Sequence, residues 1–184
     1  MELRAIKITY KGSVSNRSDS KDLITDPGDM VIVKRGVPRL LILRCPCGCG
    51  DDLIINLDKR SGPAWRLYSK SKSYTLFPSY WRDTECGSHF IVWNSKIFWC
   101  YSRTDYMDED WEVSEQIEGI VLDALKESEF IHYIDLADEH GLVPWECLQA
   151  CKQLSYKGLC EAKNEWPKEH FKKSTPPQLN RSFN

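Results

Sequence analysis

The sequence predicts an α+β protein: a small zinc-binding antiparallel β domain followed by a helical, winged-helix-like domain. Three observations predict it. Residues up to about 105 form short runs of β-branched and aromatic residues, the residues that follow have a helical apolar period, and the first part carries a dense cysteine run, RCPCGCGDD at 44–52. We expect a zinc-binding β domain at 1–105, a winged-helix-like helical domain at 106–165 and a flexible tail at 166–184.

Strands are predicted by five apolar runs separated by turn-forming residues such as DPGD, RGVP and KRSGP. The runs are DMVIVKRG, PRLLILRC, DDLIINLD, AWRLYSKSKSYTLF and HFIVWNSKIFWC. The last run reads as two strands joined by a two-residue hairpin turn at Asn94 and Ser95.

Three helices are predicted in the second part. Apolar residues recur at helical spacing through WEVSEQIEGIVLDALKES, at Val113, Ile117, Ile120, Val121, Ala124 and Leu125. A second, shorter helix ends at Gly141, and a third has Pro144 near its first turn. A strand beginning near Cys160 follows, and this order is typical of a winged helix.

Charge and hydropathy restrict the function classes. The net charge is −2, and no apolar run approaches the roughly 18 to 20 residues of a membrane span. The N-terminus lacks the features of a signal peptide, so we expect a soluble, cytoplasmic protein without membrane contact. Residues 112–165 carry 4 Lys and Arg against 12 Asp and Glu. A DNA-reading winged helix needs a basic recognition helix, so a protein-contacting or oligomerising role is favoured over nucleic-acid binding.

Metal ligation is the favoured role of the cysteines in the β part, because a reducing compartment argues against disulfides. Zinc takes four soft or borderline ligands, usually from two separate turns. The six candidates for Zn²⁺ are Cys45, Cys47, Cys49, Cys86, His89 and Cys100. Cys86 and His89, joined by two thiols of the first run, are the preferred set, and Cys49 or Cys100 is the expected bystander.

Other cysteines have a simpler interpretation. Cys100 follows an aromatic run and could equally be a small buried apolar side chain. Cys147 and Cys151 have the spacing of a metal pair, but on the third helix they share the inward face with Leu148 and Leu154, which favours burial in the core.

Two catalytic routes are compatible with the residues of the β part. An open zinc site with three protein ligands could use Asp51, Asp52 or Glu85 as general base. Alternatively, Ser79 could act as a nucleophile with His89 reaching it across strands, provided that His89 does not bind the metal. Ser88 is a poor partner for His89, because neighbouring strand residues point to opposite faces. The candidate catalytic residues are thus Ser79, His89 and Asp51.

The motifs of the first part resemble a bacterial and phage domain family of formally unknown function. The resemblance covers about residues 28–101 and depends on CPCGCG, the WRL strand, FPS and CGSHF, with the matching residues Cys45, Cys47, Cys49, Trp65, Pro78, Ser79, Cys86, Ser88 and His89. Some members are encoded in antiphage operons beside ubiquitin-like, E1-like and E2-like proteins. The Asn94–Ser95 turn departs from the glycine expected in the family.

The resemblance implies a zinc-containing peptidase or isopeptidase, similar to a deubiquitinase, that acts on a ubiquitin-like protein of a bacterial conjugation and antiphage pathway. Its expected partners are the ubiquitin-like protein and the E1-like and E2-like enzymes. The alternative is a non-catalytic, zinc-stabilised adaptor of the same pathway. Ligand number separates the two hypotheses, since four protein ligands indicate a structural metal and three leave room for a reactive water.

Overall fold

The computed structural model describes residues 4–83, 85–100 and 113–175. The chain divides into two compact units, Met1–Met107 and Asp108–Asn184. Both contain strands and the second contains three helices, so the predicted α+β class is confirmed.

The first unit contains two four-stranded sheets. The strands are β1 Thr9–Val14, β2 Asp29–Arg35, β3 Val37–Arg44, β4 Asp52–Asn56, β5 Arg66–Lys70, β6 Ser73–Trp81, β7 His89–Trp93 and β8 Lys96–Trp99. They pair in chain order, as β1-β2-β3-β4 and β5-β6-β7-β8. All pairs are antiparallel except β1 and β2, which are parallel. The predicted antiparallel character of the β part is therefore confirmed except at this edge pair, where a 3-10 turn at Arg17–Ser20 lies on the crossover.

The predicted hairpin joins β7 to β8. Asn94 and Ser95 both have positive φ values, 49° and 64°. A two-residue turn with two left-handed residues is a type I′ turn, whose twist matches that of the flanking strands. The turn therefore forms without the expected glycine, and Asn is among the residues that tolerate this conformation.

The core of the first unit lies between the two sheets. Met30, Leu41 and Leu43 from the first sheet are in one buried cluster with Leu76 and Phe90 from the second. Alternation along the strands sends the other face of the first sheet to a second, smaller cluster, formed by Ile24, Val31, Val33 and Ile42. The loop after the 3-10 turn supplies Ile24 and so covers that face.

The second unit contains three helices and a small sheet. The elements are α1 Glu115–Ala124, β9 Ile131–His132, α2 Tyr133–His140, α3 Pro144–Tyr156, β10 Cys160–Ala162 and β11 His170–Lys173. The sheet order is β10-β11-β9, with antiparallel pairs. Gly141 ends α2 in the left-handed conformation, and Pro144 occupies the first turn of α3, as the sequence predicts.

Two further expectations have clear outcomes in this unit. Cys147 and Cys151 are completely buried on α3, which confirms their place in the core. The prediction of a flexible tail that starts at residue 166 is wrong for its first part. β11 lies in this segment and pairs with a strand on each side, and Phe171 is buried. Residues 176–184 lie outside the described part of the chain.

Within the ranges that the structure describes, no helix has the length and apolar character needed to cross a membrane.

A buried carboxylate at the start of β2 fixes the DPGD turn. Asp29 is 3% exposed and accepts hydrogen bonds from the backbone amides of Thr25 at 3.1 Å and Asp26 at 3.0 Å. Lys11 of β1 lies 3.4 Å from the same oxygen. Burial opposes ionisation, but these hydrogen bonds and the ammonium outweigh it and lower the pKa of Asp29.

We expect Asp29→Asn to lower the free energy of unfolding by roughly 1 to 3 kcal/mol at neutral pH, because the amide replaces charge-assisted bonds with weaker ones. A depressed pKa stabilises the fold above the pKa of the unfolded state, about 3.9, and this contribution is lost as pH falls further. The difference between wild type and variant should therefore shrink below about pH 4. Urea unfolding across pH measures it, with the exposed Asp22→Asn as control. Parallel curves for Asp29→Asn and wild type would contradict the assignment.

Candidate functional site

Four cysteine sulfurs of the first unit lie together. Cys45, Cys47, Cys49 and Cys86 each offer one sulfur, and the four atoms lie within 4.8 Å of one another. The sulfur of Cys45 is 3.3 Å from that of Cys47 and 3.8 Å from that of Cys86. Four thiolates around a tetrahedral zinc, with bonds of about 2.3 Å, lie roughly 3.8 Å apart. The spacing therefore fits a tetrahedral metal ion held by four thiolates.

Three of these sulfurs come from the loop between β3 and β4. The loop closes where the Cys45 amide donates to the Asp51 carbonyl at 2.8 Å and the Gly48 amide to the Cys45 carbonyl at 3.2 Å. Gly48 and Gly50 have φ values of 92° and 86°, which glycine adopts without steric cost. The Cys49 amide also points at the Cys47 sulfur, at 3.4 Å, and so stabilises a thiolate there.

The fourth sulfur comes from the loop that joins β6 to β7. The Arg82 amide donates to the Ser88 carbonyl at 2.8 Å, which closes this loop, and Gly87 turns it with a φ of 62°. Cys86 thereby faces the β3–β4 loop, although it is far away in sequence. A metal bound by the four thiols would join a loop of one sheet to a loop of the other.

Ser88 supports the sulfur cluster rather than a catalytic histidine. Its side chain is 2% exposed, and its hydroxyl lies 3.1 Å from the Cys86 sulfur and 3.5 Å from that of Cys45. Burial opposes ionisation of Cys86, but hydrogen bonds with Ser88, Cys47 and Cys45 together outweigh it and lower the pKa of that thiol to about 6. Burial raises the pKa of Cys45 to about 11. A metal that replaces the thiol protons would relieve this cost.

Arg82 neutralises charge at the rim of the cluster. Its guanidinium contacts the carboxylates of Asp51, at 2.9 Å, and Glu85, and lies 3.8 Å from the Cys86 sulfur. The hydrogen bond between Arg82 and Asp51 lowers the pKa of the carboxyl group and raises the pKa of the guanidinium. Asp51 also accepts from the Cys49 thiol, at 3.4 Å. Sequence reasoning missed Arg82, although its place four residues before Cys86 was a usable signal.

The six candidate ligands separate into two groups. Among the described residues, only Cys45, Cys47, Cys49 and Cys86 form a group able to hold a metal, and His89 and Cys100 are outside it. The preference for His89 over Cys49 is therefore corrected. His89 is the first residue of β7 and directly follows Ser88. Because neighbouring residues of an extended chain point to opposite faces, the His89 side chain points away from the face on which Ser88 contacts the sulfurs.

His89 instead meets the predicted nucleophile. Its Nε2 lies 3.2 Å from the Oγ of Ser79, a hydrogen-bond distance. Trp81 pairs directly with His89 across β6 and β7, and Ser79 is two residues before Trp81. Side chains two apart on a strand share a face, and diagonal neighbours across strands are within reach of long side chains. Strand register therefore brings this serine and this histidine together.

The strand is irregular where it carries Ser79. Leu76 pairs with Val92 and Tyr80 with Phe90, so Phe77, Pro78 and Ser79 stand opposite Ile91 alone. Such a bulge releases residues from the ladder and redirects their side chains. The indole nitrogen of Trp65 donates to the Ser79 carbonyl at 3.4 Å and so holds the bulge from the neighbouring strand.

The Ser79–His89 pair lies on the outer face of its sheet. Both side chains are half-buried, whereas Tyr80 and Phe90, which alternate with them, pack into the core. Trp81 is 66% exposed, and its ring centroid is 5.8 Å from that of His89. A serine hydroxyl within hydrogen-bond reach of an imidazole can act as a nucleophile, with the imidazole as its base.

The three carboxylates considered as general bases each form an ion pair with an arginine. Asp51 and Glu85 bind Arg82 beside the sulfurs, and Asp52 forms an ion pair with Arg44 at 3.0 Å. A closed set of four thiols also leaves no ligand position for a water. The arrangement therefore fits a structural metal better than the open zinc site considered from the sequence.

Comparison with known proteins gives one family. Residues 15–100 match the model of a family described as bacterial ubiquitination-like system serine protease (BubE). The match spans the sulfur cluster, Ser79 and His89, and ends before the helical unit. It confirms the resemblance to a domain of bacterial ubiquitin-like systems, and it points to a protease. Searches of curated proteins and of solved structures found no match.

We expect Cys86→Ser to lose bound metal and to lower the melting temperature of the first unit, because metal-binding free energy is also folding free energy. Elemental analysis of the purified protein and thermal unfolding measure the two effects. Cys100→Ser, outside the sulfur cluster, should keep the metal. A Cys86→Ser protein with a stoichiometric metal and wild-type melting would refute the ligand set.

The matched control in the second unit is Cys151→Ala, which should leave metal content unchanged and cost about 1 to 2 kcal/mol of packing. Loss of metal from this variant would show that the site is misplaced.

Proposed function

We propose that this protein is a serine peptidase or isopeptidase that cleaves a ubiquitin-like protein in a bacterial conjugation pathway. The single observation that supports it most is the 3.2 Å contact between Ser79 and His89 inside the region that matches a serine protease family. Partners in this proposal are the ubiquitin-like protein and the E1-like and E2-like enzymes of an antiphage system.

In the proposed reaction, Ser79 is the nucleophile and His89 the base. The unprotonated Nε2 of His89 accepts the hydroxyl proton while the Ser79 oxygen bonds to the carbonyl carbon of the scissile amide. The carbon–nitrogen bond then breaks, and His89 returns the proton to the leaving amine. Water, activated by the same imidazole, hydrolyses the ester and releases a carboxylate.

The metal in this proposal is Zn²⁺, and its role is structural. Four cysteine thiolates with a backbone amide aimed at one sulfur are a typical zinc environment. The ion would fix the β6–β7 loop, which joins the strands that carry Ser79 and His89. Asp51 then serves the rim of the zinc site through Arg82, so it has no catalytic role in this scheme.

For the second unit we propose a winged-helix-like fold with a protein-contacting role. The order helix, strand, helix, helix, strand, strand with the sheet order β10-β11-β9 supports the fold. The excess of Asp and Glu supports a protein partner over nucleic acid.

We expect Ser79→Ala and His89→Ala to lower kcat/KM by at least about 10³-fold with unchanged zinc content, because each removes a reacting group. The assay uses the ubiquitin-like protein of the pathway fused at its C-terminus to a reporter, with zinc measured on the same samples. Ser88→Ala is the matched serine control and should retain cleavage whenever it retains zinc. Binding of the ubiquitin-like protein without cleavage by the wild type would instead support the adaptor hypothesis.

Inhibitor class gives an independent test. A fluorophosphonate should label Ser79 in the wild type and leave the Ser79→Ala protein unlabelled, as read by mass spectrometry. A chelator should inhibit only at the rate at which zinc is lost and the protein unfolds, since the metal is not in the reaction. Immediate inhibition by the chelator, without unfolding, would favour a metallopeptidase.

A further inference from the structure

A long groove lies in the first unit beside β5. It has a volume of about 750 Å³, and its wall includes Tyr10, Val37, Trp65 and Tyr74. Arg66, Leu67, Tyr68 and Ser69 all line it, and they are consecutive residues of β5. Because consecutive strand residues point to opposite faces, a groove that contacts all four runs along the edge of the strand.

Among the residues that the structure describes, β5 is an edge strand of its sheet. This strand is first in the order β5-β6-β7-β8 and pairs with β6 alone. The outer edge of such a strand presents backbone amides and carbonyls without ladder partners. An extended peptide can add to it as a further strand, with main-chain hydrogen bonds supplying affinity and the groove supplying side-chain pockets.

The charge of the groove selects the kind of peptide. Its lining includes the cations Lys34, Lys59, Arg60 and Arg66, and no Asp or Glu among the described lining residues. Asp58 already binds Arg60, whereas Lys34 and Lys59 are both exposed. The groove is therefore complementary to a peptide that carries carboxylates.

One end of the groove lies at Trp65. Trp65 directly precedes β5 and packs against the core, and its indole donates to the backbone carbonyl of Ser79. Arg66 pairs with Phe77, two residues before Ser79. A peptide added antiparallel to β5 begins near Lys70 and runs toward Trp65, so its C-terminal end arrives beside Trp65 on the core side of the sheet.

We propose that the β5 edge and its groove bind an extended, acidic segment of the substrate. This inference rests on the proposed function, because the segment belongs to the substrate that the proposed peptidase cleaves. Five residues of β5 span roughly 16 Å, enough for about five substrate residues in an extended conformation. Acidic side chains on the groove face meet Lys34 and Lys59.

Binding can be measured without cleavage. The probe is a fluorescein-labelled peptide, Glu-Val-Glu-Val-Glu-Gly, added to the Ser79→Ala protein. We expect saturable binding that weakens as salt is raised, together with slower amide exchange in residues 66–70. The peptide Lys-Val-Lys-Val-Lys-Gly and a version of the acidic peptide with N-methylated alternate amides should each bind at least tenfold more weakly.

Charge reversal tests the groove in the active protein. Lys34→Glu with Lys59→Glu should raise KM for the ubiquitin-like fusion at least tenfold and change kcat less than twofold, because the substitutions remove uniform binding. The matched control is Lys7→Glu with Lys21→Glu, two exposed lysines outside the groove, which should leave both constants unchanged.

The outcomes separate this inference from the proposed function. Cleavage by the wild type with an unchanged KM after charge reversal in the groove would overturn the groove assignment and leave the peptidase intact. Charge-dependent binding to the β5 edge without cleavage would keep the groove and refute the peptidase. Protection of residues 66–70 that appears without peptide and rises with protein concentration would overturn the inference in favour of a second copy of the chain.

Discussion

The four-sulfur cluster is the constraint on which the first unit depends. It joins the β3–β4 loop of one sheet to the β6–β7 loop of the other, at the rim of a core that both sheets share. Backbone hydrogen bonds close each loop at its base, and sulfur ligation would join the two loops to each other. Ser88 lies against Cys86, and His89 follows it at the start of β7. The cluster thus sets the position from which the histidine strand begins.

The paired strands β6 and β7 carry core residues on one face and the proposed catalytic residues on the other. Tyr80 and Phe90 pack inward, while Trp81 and His89 meet on the outer face, and the same alternation keeps Ser88 with the sulfurs. Because the imidazole and the thiols are on different sides, His89 need not serve both as ligand and as base. The ion pairs of Arg82 also hold the nearby carboxylates at the sulfur rim. This partition lets a cysteine cluster that could hold a metal and a serine–histidine pair coexist in so small a unit.

Local patterns made much of this fold predictable. Residues close together in the chain determine the strand runs and the Asn94–Ser95 turn. They also determine where α2 ends, at Gly141, and where α3 begins, at Pro144. The parallel pairing of β1 was not predictable, because it depends on a crossover rather than on periodicity. The choice between His89 and Cys49 as ligand also escaped sequence reasoning, since spacing from Cys86 cannot show which face of a strand a side chain occupies. The hydrogen bond between Ser79 and His89 was hypothesised because their strands were expected to be neighbours. The strand register that brings the two side chains together depends on the bulge in β6, which the sequence pattern does not show.

That bulge restricts how the segment can change in length. Between the pairs Leu76–Val92 and Tyr80–Phe90, β6 has two more residues than β7. An even excess preserves alternation, so Leu76 and Tyr80 both face the core while Ser79 and Trp81 face outward. Inserting or deleting an odd number of residues here would move every side chain on one side of the bulge to the other face of the sheet. Either Leu76 would then be exposed or Ser79 would be buried. Homologous chains that keep the site should therefore differ by pairs of residues at this point.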